Sequence, residues 1–159
     1  MNEKKDFIDR SQYLELAGTI IKNLENSPFL HMQPRPKIIG ILNGGKMLAD
    51  YLSIYFNLPI SYIQSHSREG EPGSLGIKGI KGTIDLSIPI SLLNQSTRQY
   101  LIVDDIYESG TTMKTIQKLF PNSRSCVLIH KAVDPSQVKT DFYGKIVSPE
   151  VWIDFYWEK

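Results

Sequence analysis

The sequence predicts an α/β fold: a central, mostly parallel sheet flanked by helices. Three observations carry that expectation. Short apolar, β-branched runs recur at Lys37–Leu42, Tyr100–Val103 and Ser125–His130; such near-continuous runs suit strands covered on both faces. Two of these runs pass directly into a glycine-bearing loop and then into a helical pattern, the strand–loop–helix unit from which parallel sheets are built. The 159 residues are enough for one domain with a substantial core and too few for two, so residues 1–159 are expected to fold together.

Charge is nearly balanced, with 18 Lys and Arg against 17 Asp and Glu. A net charge of +1 provides no field for bulk binding to nucleic acid or to an acidic membrane surface, and neither partner is expected. The one cysteine, Cys126, lies in the apolar run Cys126–Ile129 and reads as a core thiol. No apolar run is long enough to span a membrane. Residues 1–10 are charged and lack the apolar centre of a signal peptide, so a cytoplasmic protein is expected.

Taken in order, Asp9 or Ser11 can cap a first helix. Its apolar residues Tyr13, Leu14, Leu16, Ala17, Ile20, Ile21 and Leu24 follow helical spacing. A proline-bearing connection leads to the strand Lys37–Leu42. That strand runs into Asn43-Gly44-Gly45-Lys46 and a helix expected to turn Met47, Leu48, Tyr51, Leu52 and Tyr55 inward. Paired glycines let a backbone approach a ligand closely. They also suit a plain tight turn, and the residues alone leave both readings open. After the strand Pro59–Gln64, residues from about 65 to 82 are polar and glycine-rich, the profile of a functional lid or a disordered loop. Lys78 and Lys81 flank glycines in a way that suits the return arm of a hairpin, and Ile84, Leu86, Ile88 and Ile90 alternate as in a strand. Farther on, Met113, Ile116, Leu119 and Phe120 mark a helix stopped by Pro121, and Phe142–Val147 is a further strand. The aromatic tail Val151–Glu158 suits a closing strand with its rings docked into the core.

The most informative stretch is Tyr100–Met113. A buried strand ends in two carboxylates, Asp104 and Asp105; Ile106 and Tyr107 follow, then the polar loop Glu108-Ser109-Gly110-Thr111-Thr112 and a helix. In open α/β sheets ligands bind beyond the carboxyl ends of strands, and the N–H groups of a helix start favour phosphate. The stretch therefore offers two acceptors for sugar hydroxyls beside a phosphate site. It resembles the phosphoribosyl-pyrophosphate (PRPP) motif of the type I phosphoribosyltransferases: a hydrophobic strand, two acids, two variable residues, then a hydroxyl- and glycine-bearing loop. Such a motif is more specific than a lone glycine pattern.

The resemblance implies the type I phosphoribosyltransferase fold, with a lid loop over about 65–82 and a small C-terminal hood for the base over about 131–159. It is strongest to the bacterial xanthine–guanine and hypoxanthine–guanine enzymes. By it, Asp104 and Asp105 bind the ribose hydroxyls, and Glu108, Ser109, Gly110, Thr111 and Thr112 hold the 5′-phosphate. Asn43 and Gly44 line the pyrophosphate site. Asn43 stands where a basic residue is usual, which leaves Lys46 to supply the charge or the pyrophosphate more weakly held. Ser65, Ser67 and Arg68 are loose matches to lid residues that touch pyrophosphate. Lys131 meets the 6-oxo group of the base, Trp152 stacks on it, and the Ile153 main chain reads its edge. Glu158 stands for the terminal acid that helps Asp104 and Asp105 hold Mg²⁺. Glu108 replaces the usual Asp near N7 of the purine, where it acts as general acid or base. The implied reaction transfers the 5-phosphoribosyl group from PRPP to guanine, xanthine or hypoxanthine in purine salvage, in a homo-oligomer. Two alternatives stand beside it: transfer to another nitrogen base, and a non-catalytic regulator of the same fold that senses PRPP or a nucleotide.

Overall fold

The computed structural model describes residues 4–67, 79–82 and 98–158. Strand β1 (Lys5–Ile8) precedes helix α1 (Arg10–Glu25), and β2 (Lys37–Leu42) precedes α2 (Lys46–Phe56). Then come β3 (Ile60–Ser67), β4 (Gly79–Gly82), β5 (Tyr100–Tyr107), α3 (Thr111–Leu119), β6 (Ser123–Lys131), β7 (Phe142–Val147) and β8 (Trp152–Phe155). The main sheet has the order β4-β3-β2-β5-β6-β7. Its pairs are parallel except β3 with β4. The expected α/β architecture is therefore present, with β5 at the centre.

The side chains of the central strands divide between two cores. Ile38, Leu101, Val103, Cys126 and Leu128 face α1 and α2, while Ile39, Ile41, Ile102 and Val127 pack with Met113, Ile116 and Phe120 of the α3 side. Both faces being covered explains the continuous apolar runs. Cys126 is free and buried, as expected of a core thiol. Helix α1 starts at Asp9, not Ser11. The Asp9 carboxylate accepts from the Gln12 amide at 2.8 Å and the Gln12 side chain accepts from the Asp9 amide at 3.0 Å, a capping box that satisfies two otherwise orphaned donors. Tyr13, Ala17, Ile20, Ile21 and Leu24 form its buried stripe.

Four features depart from the sequence expectations. Tyr55 faces outward at 54% exposure and its hydroxyl donates to Glu25 at 3.1 Å, because the phenol has a polar partner on the surface and none inside. Strand β5 extends past Val103 to Tyr107, since β6 continues beside it as far as the Tyr107–His130 pair. Residues 65–67 continue β3 instead of opening the loop, while 79–82 pair antiparallel with it, as the return arm expected around Lys81 requires. The short β1, which has no clear signal, pairs in parallel with β8 in a separate two-stranded sheet. Lys145 of β7 reaches Asp6 of β1 at 2.8 Å, tying that small sheet to the large one. Residues 68–78 of the expected lid and the strand expected over 84–90 lie outside the described residues. Among the described residues, no helix is long and apolar enough to cross a membrane.

Candidate active site

The carboxyl ends of β2, β5 and β6 converge. A cavity of about 280 Å³ opens there, lined by Asp104–Met113. Asp104 accepts the Asp105 amide at 2.8 Å, and Asp105 accepts the Ile106 amide at 2.7 Å. The Gly44 backbone abuts the Asp105 carboxylate, so that a methyl on Gly44 would fall 2.2 Å from Oδ2. A methyl on Gly45 would meet the Val103 carbonyl at 2.5 Å and the Asp104 Cα at 2.9 Å. These contacts resolve the open reading of the glycine pair in one respect: the Asn43–Gly45 turn is pressed against the acid pair, where only glycine leaves room. The Leu42–Asn43 peptide is cis. Burial, and then the charge of Asp105, hold the Asp104 carboxyl well above the usual range.

The loop after the acids is ordered by its own hydroxyls. Ser109 Oγ lies 3.1 Å from Thr111 Oγ1, and Thr115 donates to the Thr111 carbonyl at 2.8 Å. Gly110, at φ 82°, is the N-cap of α3 and has no side chain to cap with; Ser109 Oγ accepts the Thr111 amide at 3.4 Å. The remaining first-turn amides and the positive end of the helix dipole favour an anion. Tyr107 rises beneath this loop; a methyl on Gly110 would fall 2.1 Å from its hydroxyl. Both φ and space demand glycine, so Gly110→Ala is expected to cost about 1–3 kcal/mol of stability. A thermal melt checks this, and an unchanged melting temperature would show that the loop rearranges freely.

Across the cavity mouth, Lys131 Nζ lies 2.6 Å from Glu108 Oε1; the lysine side chain is only 10% exposed and the glutamate 62%. Lys46 is committed elsewhere. It pairs with Asp50 at 2.5 Å and sits 5.4 Å from the centre of the Tyr62 ring, while Tyr62 also donates to Asp50. In the tail, Trp152 is 54% exposed and its indole donates to Asp154 at 2.9 Å. Ile153 is buried in register with Asp6 of β1, and among the described residues no further strand joins the other edge of β8. Glu158 accepts the Phe155 amide at 3.3 Å. Phe155 and Trp157 stack at 4.4 Å, with Phe155 fully buried. The tail thus docks part of its aromatic set into the core and leaves Trp152 outside. Among the described residues, no three His, Cys, Asp or Glu side chains converge as a metal cage.

The phosphoribosyl transferase domain profile matches residues 9–156. The chain belongs to that family. Over 58 residues it is 36% identical to a xanthine-guanine phosphoribosyltransferase of Roseobacter denitrificans, a match spanning 36% of this chain and 32% of that protein. Over 145 residues it is 26% identical to a hypoxanthine-guanine phosphoribosyltransferase of Staphylococcus aureus, spanning 89% and 73%. The same fold occurs in the crystal structure of a purine phosphoribosyltransferase from Pyrococcus horikoshii, with a TM-score of 0.70, 20% identity, and coverage of 98% of this chain and 95% of that one.

In this member of the family the structure brings Gly44, Asp104, Asp105 and the loop Glu108–Thr112 together, and sets Lys131 against Glu108. Trp152 and Glu158 bond instead to Asp154 and the Phe155 amide. Sequence reasoning assigned no role to Tyr107, although it lines the cavity, and treated His130 as structural. An aromatic just before a glycine loop was the only local hint of the first. The all-oxygen donors of Asp104 and Asp105 suit Mg²⁺, which takes one or two carboxylates together with substrate phosphates and water. The raised Asp104 carboxyl also marks excess negative charge that a divalent cation would relieve.

Proposed function

We propose that this protein transfers the 5-phosphoribosyl group of PRPP to a 6-oxopurine, forming the nucleoside 5′-monophosphate and pyrophosphate in purine salvage. The observation that carries this reading is the 2.6 Å Lys131–Glu108 pair at the cavity mouth. An ammonium only donates hydrogen bonds and a carboxylate only accepts them. Side by side, they present a donor and an acceptor to one edge of a base. A 6-oxopurine offers the complement, a carbonyl acceptor beside an N7–H donor. A 6-aminopurine offers a donor where Lys131 needs an acceptor. Both groups keep spare valences while paired, so the base can dock against the intact pair.

Asp104 and Asp105 receive the ribose hydroxyls and place negative charge near the cation that develops at the sugar carbon. The 5′-phosphate rests on the loop from Glu108 to Thr112, where hydroxyls, amides and the α3 dipole converge. As the bond to the base nitrogen forms and the bond to pyrophosphate breaks, Glu108 takes the N7 proton. The Asn43–Gly44 backbone faces the departing pyrophosphate. Asp104 and Asp105 would hold Mg²⁺, in part through water, and the bound ion would supply charge neutralisation for that leaving group. Trp152 stacks on the base, the Ile153 main chain reads its edge, and Glu158 contributes to metal binding through water. The reading has the protein in the cytoplasm as a homo-oligomer, with residues 1–159 acting as one domain.

The test is pyrophosphate release with PRPP, Mg²⁺ and, in turn, guanine, xanthine, hypoxanthine, adenine, uracil and orotate. Turnover with at least one oxopurine and none with adenine is expected. Tight nucleotide binding without turnover on any base would instead favour a sensor.

A further inference from the structure

We infer that His130 is a positioning residue that holds the phosphate loop and the turn carrying Lys131 in register. Its ring is 1% exposed and makes contacts in three directions. It stacks on Tyr107 with centroids 4.4 Å apart and planes 15° apart. It meets the Tyr143 ring of β7 edge-on at 6.3 Å. Its Nε2 accepts the amide of Lys139 at 3.1 Å. Accepting there requires a neutral ring with its proton on Nδ1, and burial favours that neutral form.

Each contact leads to a different part of the site. Tyr107 carries its hydroxyl to the underside of Gly110, so the stack props the loop expected to hold the 5′-phosphate. Lys139 closes the connection between β6 and β7 that begins at Lys131, so its amide bond anchors the turn behind the base-facing ammonium. Among the described residues the buried Nδ1 has no partner of good geometry, a cost that histidine carries here. A phenylalanine would stack on Tyr107 as well without that cost. What histidine adds is the acceptor for Lys139.

The two contributions can be separated by two substitutions. His130→Phe keeps the stack and deletes the acceptor. His130→Gln keeps an acceptor and deletes the stack. This part rests on the proposed activity: His130→Phe should raise KM for the oxopurine by about tenfold, the equivalent of one lost hydrogen bond, with KM for PRPP within twofold of wild type. His130→Gln should do the reverse. Calorimetric titration with ribose 5-phosphate, which probes the phosphate loop without chemistry, should show weakened binding for His130→Gln and wild-type binding for His130→Phe. Tyr107→Phe, a smaller change, should weaken ribose 5-phosphate in the same sense. If wild type turns over no base, the proposed function fails while the titration still tests the positioning role. Equal effects of both histidine variants on both ligands, or loss of thermal stability alone, would overturn it; if neither histidine variant folds, an unchanged ribose 5-phosphate affinity in Tyr107→Phe does so.

Discussion

Replacing Asp104 and Asp105 together by asparagine is expected to lower kcat/KM for PRPP by about a thousandfold or more. Loss of a single preorganised electrostatic group at a reacting centre costs roughly 10²–10³ in rate. On the proposed function two carboxylates would be removed from beside the developing sugar cation, and Mg²⁺ would lose the groups that hold it. Asparagine keeps the size and one acceptor oxygen, so the Asp105 and Ile106 amides retain partners and the fold should survive. Turnover within fivefold of wild type would mean that the ribose does not bind there.

The single change Asp104→Asn separates function from stability. Asp104 is held above its ordinary range by burial first and by Asp105 second. A carboxyl raised in the folded state stabilises the fold most below its unfolded pKa, and that contribution is lost as pH rises through the folded value. As pH rises from the unfolded value through that raised folded value, the ligand-free protein increasingly bears the cost of a buried carboxyl beside a like charge. Removing it should stabilise by on the order of 1–3 kcal/mol, each kcal/mol being worth about 2–4 °C in Tm for a domain of this size. The gain should shrink as pH falls below the ordinary carboxylate range, where Asp104 is protonated in both states. A Tm that falls at pH 8, or a gain that does not depend on pH, would contradict this account. The site thus trades fold stability for a charge that ligand binding can use.

Lys131→Met is expected to lower kcat/KM for the oxopurine by about 10²–10³, in line with the 2–5 kcal/mol lost when one partner of a buried charge pair is truncated. The loss should fall on the base and spare KM for PRPP. Stability should change little, for a reason visible in the exposures. The lysine is the buried partner at 10% and the glutamate the solvated one at 62%. Removing the lysine removes the desolvated charge and leaves Glu108 in water, where an unpaired carboxylate costs little. Methionine preserves the length of the aliphatic stem. Rate measurements with a 6-oxo and a 6-amino purine, beside a thermal melt, check both halves. An equal loss for PRPP, or a retained preference for the oxopurine, would mean that Lys131 does not read the base.

The longer Glu108 acquires a physical context from this pair. A misplacement of about 1 Å in a reacting group can cost on the order of a hundredfold, so the extra methylene matters to the chemistry. In the structure that extra length reaches Lys131. The Asn43 departure gains no compensation from Lys46, whose ammonium is engaged by Asp50.

What the sequence determined by itself was whatever chemistry lies along one continuous stretch of chain. The Tyr100–Met113 stretch carries its strand, acids, loop and helix start in order, and backbone geometry alone sets the acids beside the loop. The strand at Lys37–Leu42 ran to its observed bounds because apolar continuity and a following glycine pair are local signals. Tertiary structure alone decided the relations between stretches. The Lys131–Glu108 pair joins the turn after β6 to the loop after β5, and the Tyr107–His130 stack depends on the β5–β6 register. The contact of Gly44 with Asp105 depends on β2 lying next to β5. The β1–β8 pair joins opposite ends of the chain through two four-residue strands, too short to announce themselves by periodicity. Tyr55 follows the helical pattern and still faces water, since a phenol at the edge of an apolar stripe goes where its hydroxyl finds a partner. Register and sheet order are set by the summed packing of both cores, which no local window contains. The acids and the hydroxyl loop were therefore legible in one segment, and the resemblance already named Lys131 and Glu108; that those two side chains pair, and that His130 stacks on Tyr107, came into view only when β5 and β6 lay side by side.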